Sequence, residues 1–127
     1  MPIPRPEDGH PTFGRLFSAG DLDGVVALYE QDAVLLPQPG AVARGHAAIR
    51  EALAGFMALK GRFSMAPTTI IPGPGLAVLI ADWTLDATGP DGKPMRLEGR
   101  TCDVLRRQAD GGWLFAIDSP FGAAGVG

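Results

Sequence analysis

Two aspartates fall where strands are expected, and no other residues in this sequence are better placed to do chemistry. Asp103 lies within Thr101-Cys102-Asp103-Val104-Leu105, and Asp118 within Ala116-Ile117-Asp118-Ser119. Aspartate is depleted in strands, so each position needs a local reason. Side chains alternate between the two faces of a strand, which sets Asp118 with Leu114 and Ala116, opposite Trp113, Phe115 and Ile117. If that aromatic side is covered from outside, Asp118 points inward, and an adjacent antiparallel strand brings Asp103 beside it. Two carboxylates in an apolar cavity push their pKa values apart, one becoming an acid and the other a base. The competing reading is structural: either aspartate pairs with Arg100 or Arg106, or accepts backbone hydrogen bonds at a turn. Such ion pairs also perturb pKa values.

Other routes to chemistry find little support. The sequence has no GxSxG elbow, Walker loop, HExxH or strand-linked GxGxxG. Gly73-Pro74-Gly75 reads as a tight turn, and Cys102 as a small buried hydrophobe in mid-strand. His46 stands at a helix start, where a capping or solvated role is expected. Ser64 and Thr69 could line a pocket, and Arg106-Arg107 reads as a strand end meeting water. One cysteine and two histidines leave no internal disulfide and argue against a zinc site, so no cofactor or metal is expected. A net charge of -3 gives no footprint for nucleic acid or an anionic membrane. The longest apolar run, Leu76 to Ala81, is too short to span a bilayer, and Met1 to Pro11 has no signal-peptide core. A cytoplasmic protein is the expectation.

The elements that must position the aspartates can be read from punctuation and periodicity. The chain has 127 residues, 46% of them hydrophobic, which suits one domain with a real core. Pro2, Pro4, Pro6 and Pro11 suggest an extended arm over residues 1–11, before a domain spanning 12–122 and a flexible tail at 123–127. Phe13, Leu16 and Phe17 have helical spacing up to Gly20. Asp21 is then a natural N-cap for a second helix carrying Leu22, Val25, Val26, Leu28 and Tyr29. Ala33 to Leu36 reads as a short strand. A third helix runs from Gly45 and His46 to Lys60, with Ile49, Leu53, Phe56 and Met57 on one face. From Arg62 the period becomes 2. Phe63 to Ile71 is a strand weakened by Pro67, followed by Leu76 to Thr88, Arg96 to Arg107 and Trp113 to Ser119. Helices followed by consecutive strands predict an α+β fold, its helices packed on one face of a curved antiparallel meander.

That sheet is apolar on two sides. Leu79, Ala81, Trp83 and Leu85 alternate with Val78 and Ile80, and Trp113, Phe115 and Ile117 form a second apolar side in the last strand. Helices can cover only one face in a chain this short. The outer face, with Trp113, Phe115, Ile117, Val78 and Ile80, is therefore expected to meet a second copy as a homodimer. Burying the three residues of the last strand alone is worth roughly 5 kcal/mol before the cost of association.

The order and spacing of these pieces resemble the superfamily of nuclear transport factor two, ketosteroid isomerase and SnoaL-like polyketide cyclases. The resemblance runs from Thr12 to Gly122 and is carried by Gly20-Asp21-Leu22-Asp23, Leu28-Tyr29, Asp32-Ala33-Val34, Arg44-Gly45, Ala48-Ile49-Arg50, Asp103-Val104-Leu105-Arg106, Asp110-Gly111-Gly112-Trp113 and Ile117-Asp118-Ser119-Pro120. It implies a cone-shaped α+β barrel, a curved antiparallel sheet wrapped around N-terminal helices, with a deep apolar pocket and a dimer through the outer sheet. Of the ketosteroid isomerase site, Asp103 matches the carboxylic acid that donates to the oxyanion, and Tyr29 keeps a hydroxyl. The base matches Pro37, the oxyanion tyrosine Phe13, and a supporting tyrosine Leu53, so steroid isomerisation by that mechanism is not expected. The limonene-epoxide-hydrolase branch uses two aspartates to activate a water, and Asp103 and Asp118 resemble that pair. Its intervening arginine corresponds to Thr101, and Arg100 has the wrong parity to replace it.

The resulting expectation is a pocket for a small apolar ligand lined by Phe13, Leu16, Tyr29, Leu53, Phe56, Met57, Leu79, Trp83 and Leu85. Asp118 or Asp103 would transfer the proton and Tyr29 would donate a hydrogen bond, in cofactor-free isomerase, cyclase or hydrolase chemistry. A non-catalytic ligand-binding or dimeric assembly module on the same fold is the alternative.

Overall fold

The computed structural model describes residues 2–125. Three helices, α1 (Gly9–Ser18), α2 (Leu22–Val26) and α3 (Gly45–Ala58), accompany seven strands. The strands are β1 (Tyr29–Leu35), β2 (Ala43–Arg44), β3 (Arg62–Met65), β4 (Thr69–Pro72), β5 (Leu76–Thr88), β6 (Pro94–Arg107) and β7 (Trp113–Ser119). They form one curved, unclosed sheet in the order β2-β1-β7-β6-β5-β3, with β4 also paired to β5. The architecture is α+β, as expected, with one departure from a simple meander. β1 lies parallel to β7, while every other pair is antiparallel. The connection from β1 through α3 and the remaining strands is long enough to bring the last strand back beside the first in the same direction.

Several boundaries differ from the sequence reading. Within the arm expected over residues 1–11, the described residues 2–11 are not extended. Pro6–Asp8 forms a 3-10 turn, α1 begins at Gly9, and Ile3 is fully buried, its carbonyl accepting from Trp113 N–H at 2.9 Å. Proline was misread there because it is tolerated in the first turn of a helix, where Pro11 has no intrahelical N–H bond to lose. α2 ends at Val26 and Tyr29 opens β1, so Tyr29 is a strand residue. Asp21 does cap α2, accepting from Gly24 N–H at 2.9 Å. The expected strand Phe63 to Ile71 is two strands, β3 and β4, parted around Pro67. The expected tail, 123–127, lies partly outside the described residues, and Gly122–Gly125 forms a second 3-10 turn.

The most consequential difference is a β-bulge. Val104 pairs with Ile117 but Leu105 pairs with Phe115, so Ala116 is an extra residue in β7. The bulge resets the alternation. Phe115, 1% exposed, therefore faces the helices, as does Asp118, whereas Ile117 is 44% exposed on the outer face. Trp113 also packs against the core. Neither Trp113 nor Phe115 belongs to the outer face assigned to it from simple parity. Val78 and Ile80 do alternate with the buried Ala77, Leu79 and Ala81, as expected.

Candidate functional site

The site begins with a glycine. A Cβ at Gly9 would lie 2.9 Å from Leu79 Cδ2 and 3.0 Å from Leu105 Cδ1, both in the fully buried core. Only glycine lets the start of α1 come this close to β5 and β6. The next residue, His10, is thereby pressed against β6 and is 4% exposed. Its Nε2 lies 2.6 Å from Asp103 Oδ2, and its Nδ1 lies 2.7 Å from Thr68 Oγ1. His10 has the same helical face as Phe13 and Phe17, an i, i+3, i+7 series that was legible in the sequence but hidden by the surrounding prolines.

Asp103 on β6 and Asp118 on β7 are directly opposite in the antiparallel register, with Leu79 on β5 completing the row. Both carboxyl groups are buried and face each other within hydrogen-bonding reach when one of them is protonated. Thr101 Oγ1 donates to Asp103 Oδ1 at 2.7 Å, and Tyr29 OH donates to Asp118 Oδ2 at 2.5 Å. The result is a continuous polar chain, Thr68–His10–Asp103–Asp118–Tyr29, with Thr101 attached. Among the described residues no buried side-chain nitrogen or oxygen lacks a partner. Neither aspartate pairs with Arg100 or Arg106: Arg100 binds Asp82 and Arg106 binds Glu30 on the solvent side.

Burial governs the protonation of this chain. It lowers the His10 pKa to about 4, against a smaller opposing pull from Asp118, so the imidazole is neutral at pH 7. Asp118 is pushed well above the ordinary carboxylate value, first by burial and then by the charge of Asp103. Burial also raises Asp103, but hydrogen bonds from Asp118, Thr101 and the Ser119 backbone oppose it. Tyr29 is raised by burial and by Asp118, so its hydroxyl stays a donor. One arrangement fits these contacts: Asp118, raised the further of the two, keeps its proton and donates to Asp103, which also accepts from Thr101 and from His10 Nε2–H. Thr68 then donates to Nδ1.

His10, Thr101, Asp103 and Asp118 line one side of a cavity of about 60 Å³. The rest of its wall is apolar and includes Phe13, Leu53, Phe56, Trp83 and Leu85, all named from the sequence. Phe17, Leu35, Phe63, Met65, Phe115 and Pro120 line it as well and were missed. Five of the six phenylalanines in the chain thus surround one space. Leu16 and Met57 are half-buried and pack against the core, Leu79 is fully buried beneath Gly9, and Tyr29 reaches the site through Asp118; none of the four is a wall residue of the cavity. Trp83 is fixed by its Nε1–H donating to Pro120 O at 2.6 Å. His46 is no part of the site, its Nε2–H donating to Tyr29 O at 2.7 Å. Cys102 faces away from the cavity, as its pairing neighbours Thr101 and Asp103 face in. Among the described residues no cluster of three or more His, Cys, Asp or Glu has a metal-binding arrangement. No helix among them is long and apolar enough to cross a membrane.

Similar solved structures share this fold. A nuclear transport factor 2-like superfamily protein from Salmonella enterica superposes with a TM-score of 0.77 at 21% identity, over 89% of this chain and 84% of that one. A conserved protein from Planctomyces limnophilus gives 0.77 at 19% identity, over 89% of each chain. A protein with a cystatin-like fold from Novosphingobium aromaticivorans gives 0.72 at 18% identity, over 89% of this chain and 76% of that one. At these identities the likeness is one of fold. No curated protein matches the sequence. The family model for the SnoaL-like domain, however, matches residues 12–115, nearly the whole of the sheet and all of α2 and α3, and by that match the chain belongs to the SnoaL-like family.

Proposed function

We propose that this chain binds a small apolar molecule in its inner cavity and performs cofactor-free acid–base chemistry on it. The observation that supports this most is the facing pair of buried carboxyl groups, Asp118 and Asp103, at the wall of an otherwise apolar space, where burial raises both and Asp118 well above the ordinary carboxylate value. A substrate oxygen arriving at Asp118 would take over the hydrogen bond now given to Asp103. Asp118 then serves as the acid. Asp103, freed of that bond and still oriented by Thr101 and His10, takes a proton from a substrate carbon or from water. Tyr29 holds Asp118 in position.

The test is a panel of small ketones, enones and epoxides incubated with the protein in D2O and followed by NMR. Deuterium entering the substrate, or a diol formed from an epoxide, is expected with the native chain. It is expected to be lost in Asp118→Asn and Asp103→Asn while ligand binding persists. Binding without any chemical change in the native chain would instead favour a second reading, a ligand-binding module. One feature of the site speaks for that reading: no fully buried side-chain nitrogen or oxygen from Thr68 to Tyr29 lacks a partner.

A homodimer through the outer sheet face is part of the same reading. Ile71, Val78, Val104, Ile117 and Val34 occupy one continuous cross-strand row on β4, β5, β6, β7 and β1. Ile71 and Ile117 at 54% and 44% exposure are large apolar side chains left open to water, which a second copy would cover. With its single cysteine and no membrane-length helix among the described residues, the protein suits a reducing, cytoplasmic setting.

A further inference from the structure

The inner cavity is small. At about 60 Å³ it is the smaller of two adjoining spaces, and a ligand with more than a short apolar end extends out of it. A second and larger space, a groove of about 410 Å³, lies between α1 and the segment from Phe63 to Thr68. The two spaces share His10, Phe63 and Met65 as common walls, so the groove adjoins the cavity where the imidazole stands.

The groove differs from the cavity in charge. Arg15 lines it, together with the hydroxyls of Ser18 and Thr68, and no acidic residue does. Among the described residues Arg15 makes no ion pair, as is also true of Arg44, Arg62 and Arg107, whereas Arg5, Arg50, Arg96, Arg100 and Arg106 do; of the four, Arg15 is the one that lines the groove. In a chain of net charge -3, a groove lined by a cation and no anion has the local charge that favours a negative ligand group. The groove also has an open floor. Gly14 lies in the middle of α1, where glycine costs about 1 kcal/mol relative to alanine. A Cβ there would meet only Phe63 Cε2, at 3.8 Å.

We propose that the groove is an anion subsite, and that the ligand is a small monocarboxylic acid. Its carboxylate pairs with Arg15, and its short apolar end passes Phe63 and Met65 into the inner cavity. This rests on the reading of the cavity as a ligand site and adds the class of ligand. A carboxylate suits the site better than a phosphate monoester, because one guanidinium balances one charge and no second Lys or Arg lines the groove.

The experiment compares pentanoate with its uncharged amide, pentanamide, by ¹H–¹⁵N NMR titration. The reporters are the Trp83 indole for the cavity and the His10 ring for the shared wall. Pentanoate is expected to bind about fivefold tighter than the amide, the scale of a partly exposed ion pair. Arg15→Gln should erase that preference with the melting temperature unchanged, and Arg15→Lys should keep most of it. Gly14→Leu, which fills the floor of the groove, should weaken both probes. Equal binding of acid and amide, or a preference that survives Arg15→Gln, overturns the anion subsite while leaving the cavity as a binding site. If neither probe shifts Trp83 or His10, both the subsite and the cavity reading fail.

Discussion

Two glycines on one helix should respond to the same substitution with opposite signs. In Gly9→Ala the new Cβ would sit 2.9 Å from Leu79 Cδ2 and 3.0 Å from Leu105 Cδ1, closer than side-chain carbons ordinarily approach. Both leucines are fully buried, so either their ends must turn within the packed core or the helix start must lift from the sheet. Overpacking of this kind costs about 1–3 kcal/mol. The gain from replacing glycine at a helix end is smaller, so a net loss of about 1 kcal/mol or more is expected. In Gly14→Ala the Cβ meets only Phe63 Cε2 at 3.8 Å, an ordinary contact, and the mid-helix position should gain about 0.5–1 kcal/mol. Urea denaturation of both variants measures the two values under identical conditions. The His10 ring resonances should move in Gly9→Ala, because His10 follows Gly9 directly, and stay in place in Gly14→Ala. If Gly9→Ala is as stabilising as Gly14→Ala, α1 is not pressed against β5 and β6, and the account of how His10 is seated is wrong.

Three further outcomes follow from the same contacts. His10 is depressed from 6.5 to about 4 on folding, so its contribution is fully present above pH 6.5 and is lost as the pH falls to about 4. At about 1.4 kcal/mol per unit, the loss is about 3 kcal/mol, and His10→Gln should flatten that limb of a stability-against-pH curve. Asp118 has the opposite sign: its folded pKa is raised, so its contribution is complete below about pH 4, the unfolded value, and falls away as the pH rises through the folded pKa. Asp118→Asn should therefore be as stable as the native chain or more stable at pH 8, measured by thermal melting, while the proposed turnover is expected to be lost. On the outer face, the native chain is expected to sediment as a dimer and Val104→Lys or Ile117→Lys as a folded monomer; an unchanged dimer would rule out that face.

The aspartates were legible because they break a local rule. Strands disfavour Asp, so Asp103 and Asp118 each called for a reason, and the reason was an inward face shared across β6 and β7. The same parity argument failed at Phe115, because the extra residue Ala116 resets the count and nothing in Leu114-Phe115-Ala116-Ile117 announces a bulge. His10 was missed for a different cause. Four prolines in eleven residues outweighed the helical spacing of His10, Phe13 and Phe17, and only the contact of Gly9 with two distant leucines makes that stretch part of the core. Tyr29 was found as a residue but placed on a helix, since its spacing from Val25 and Val26 suits a helical face as well as the start of β1. The parallel pairing of β1 and β7 depends on contacts between the two ends of the chain, which periodicity does not record.

The account depends above all on one proton held between Asp103 and Asp118 at the wall of an apolar cavity. Carboxyl ¹³C resonances of aspartate-labelled protein, followed through a pH titration, report it most directly. The expected result is that the Asp118 carbon keeps the shift of a protonated acid at pH 7 while the Asp103 carbon has that of a carboxylate. If both carbons titrate near pH 4 alongside the exposed aspartates, the two groups ionise independently, and the acid–base pair described here does not exist.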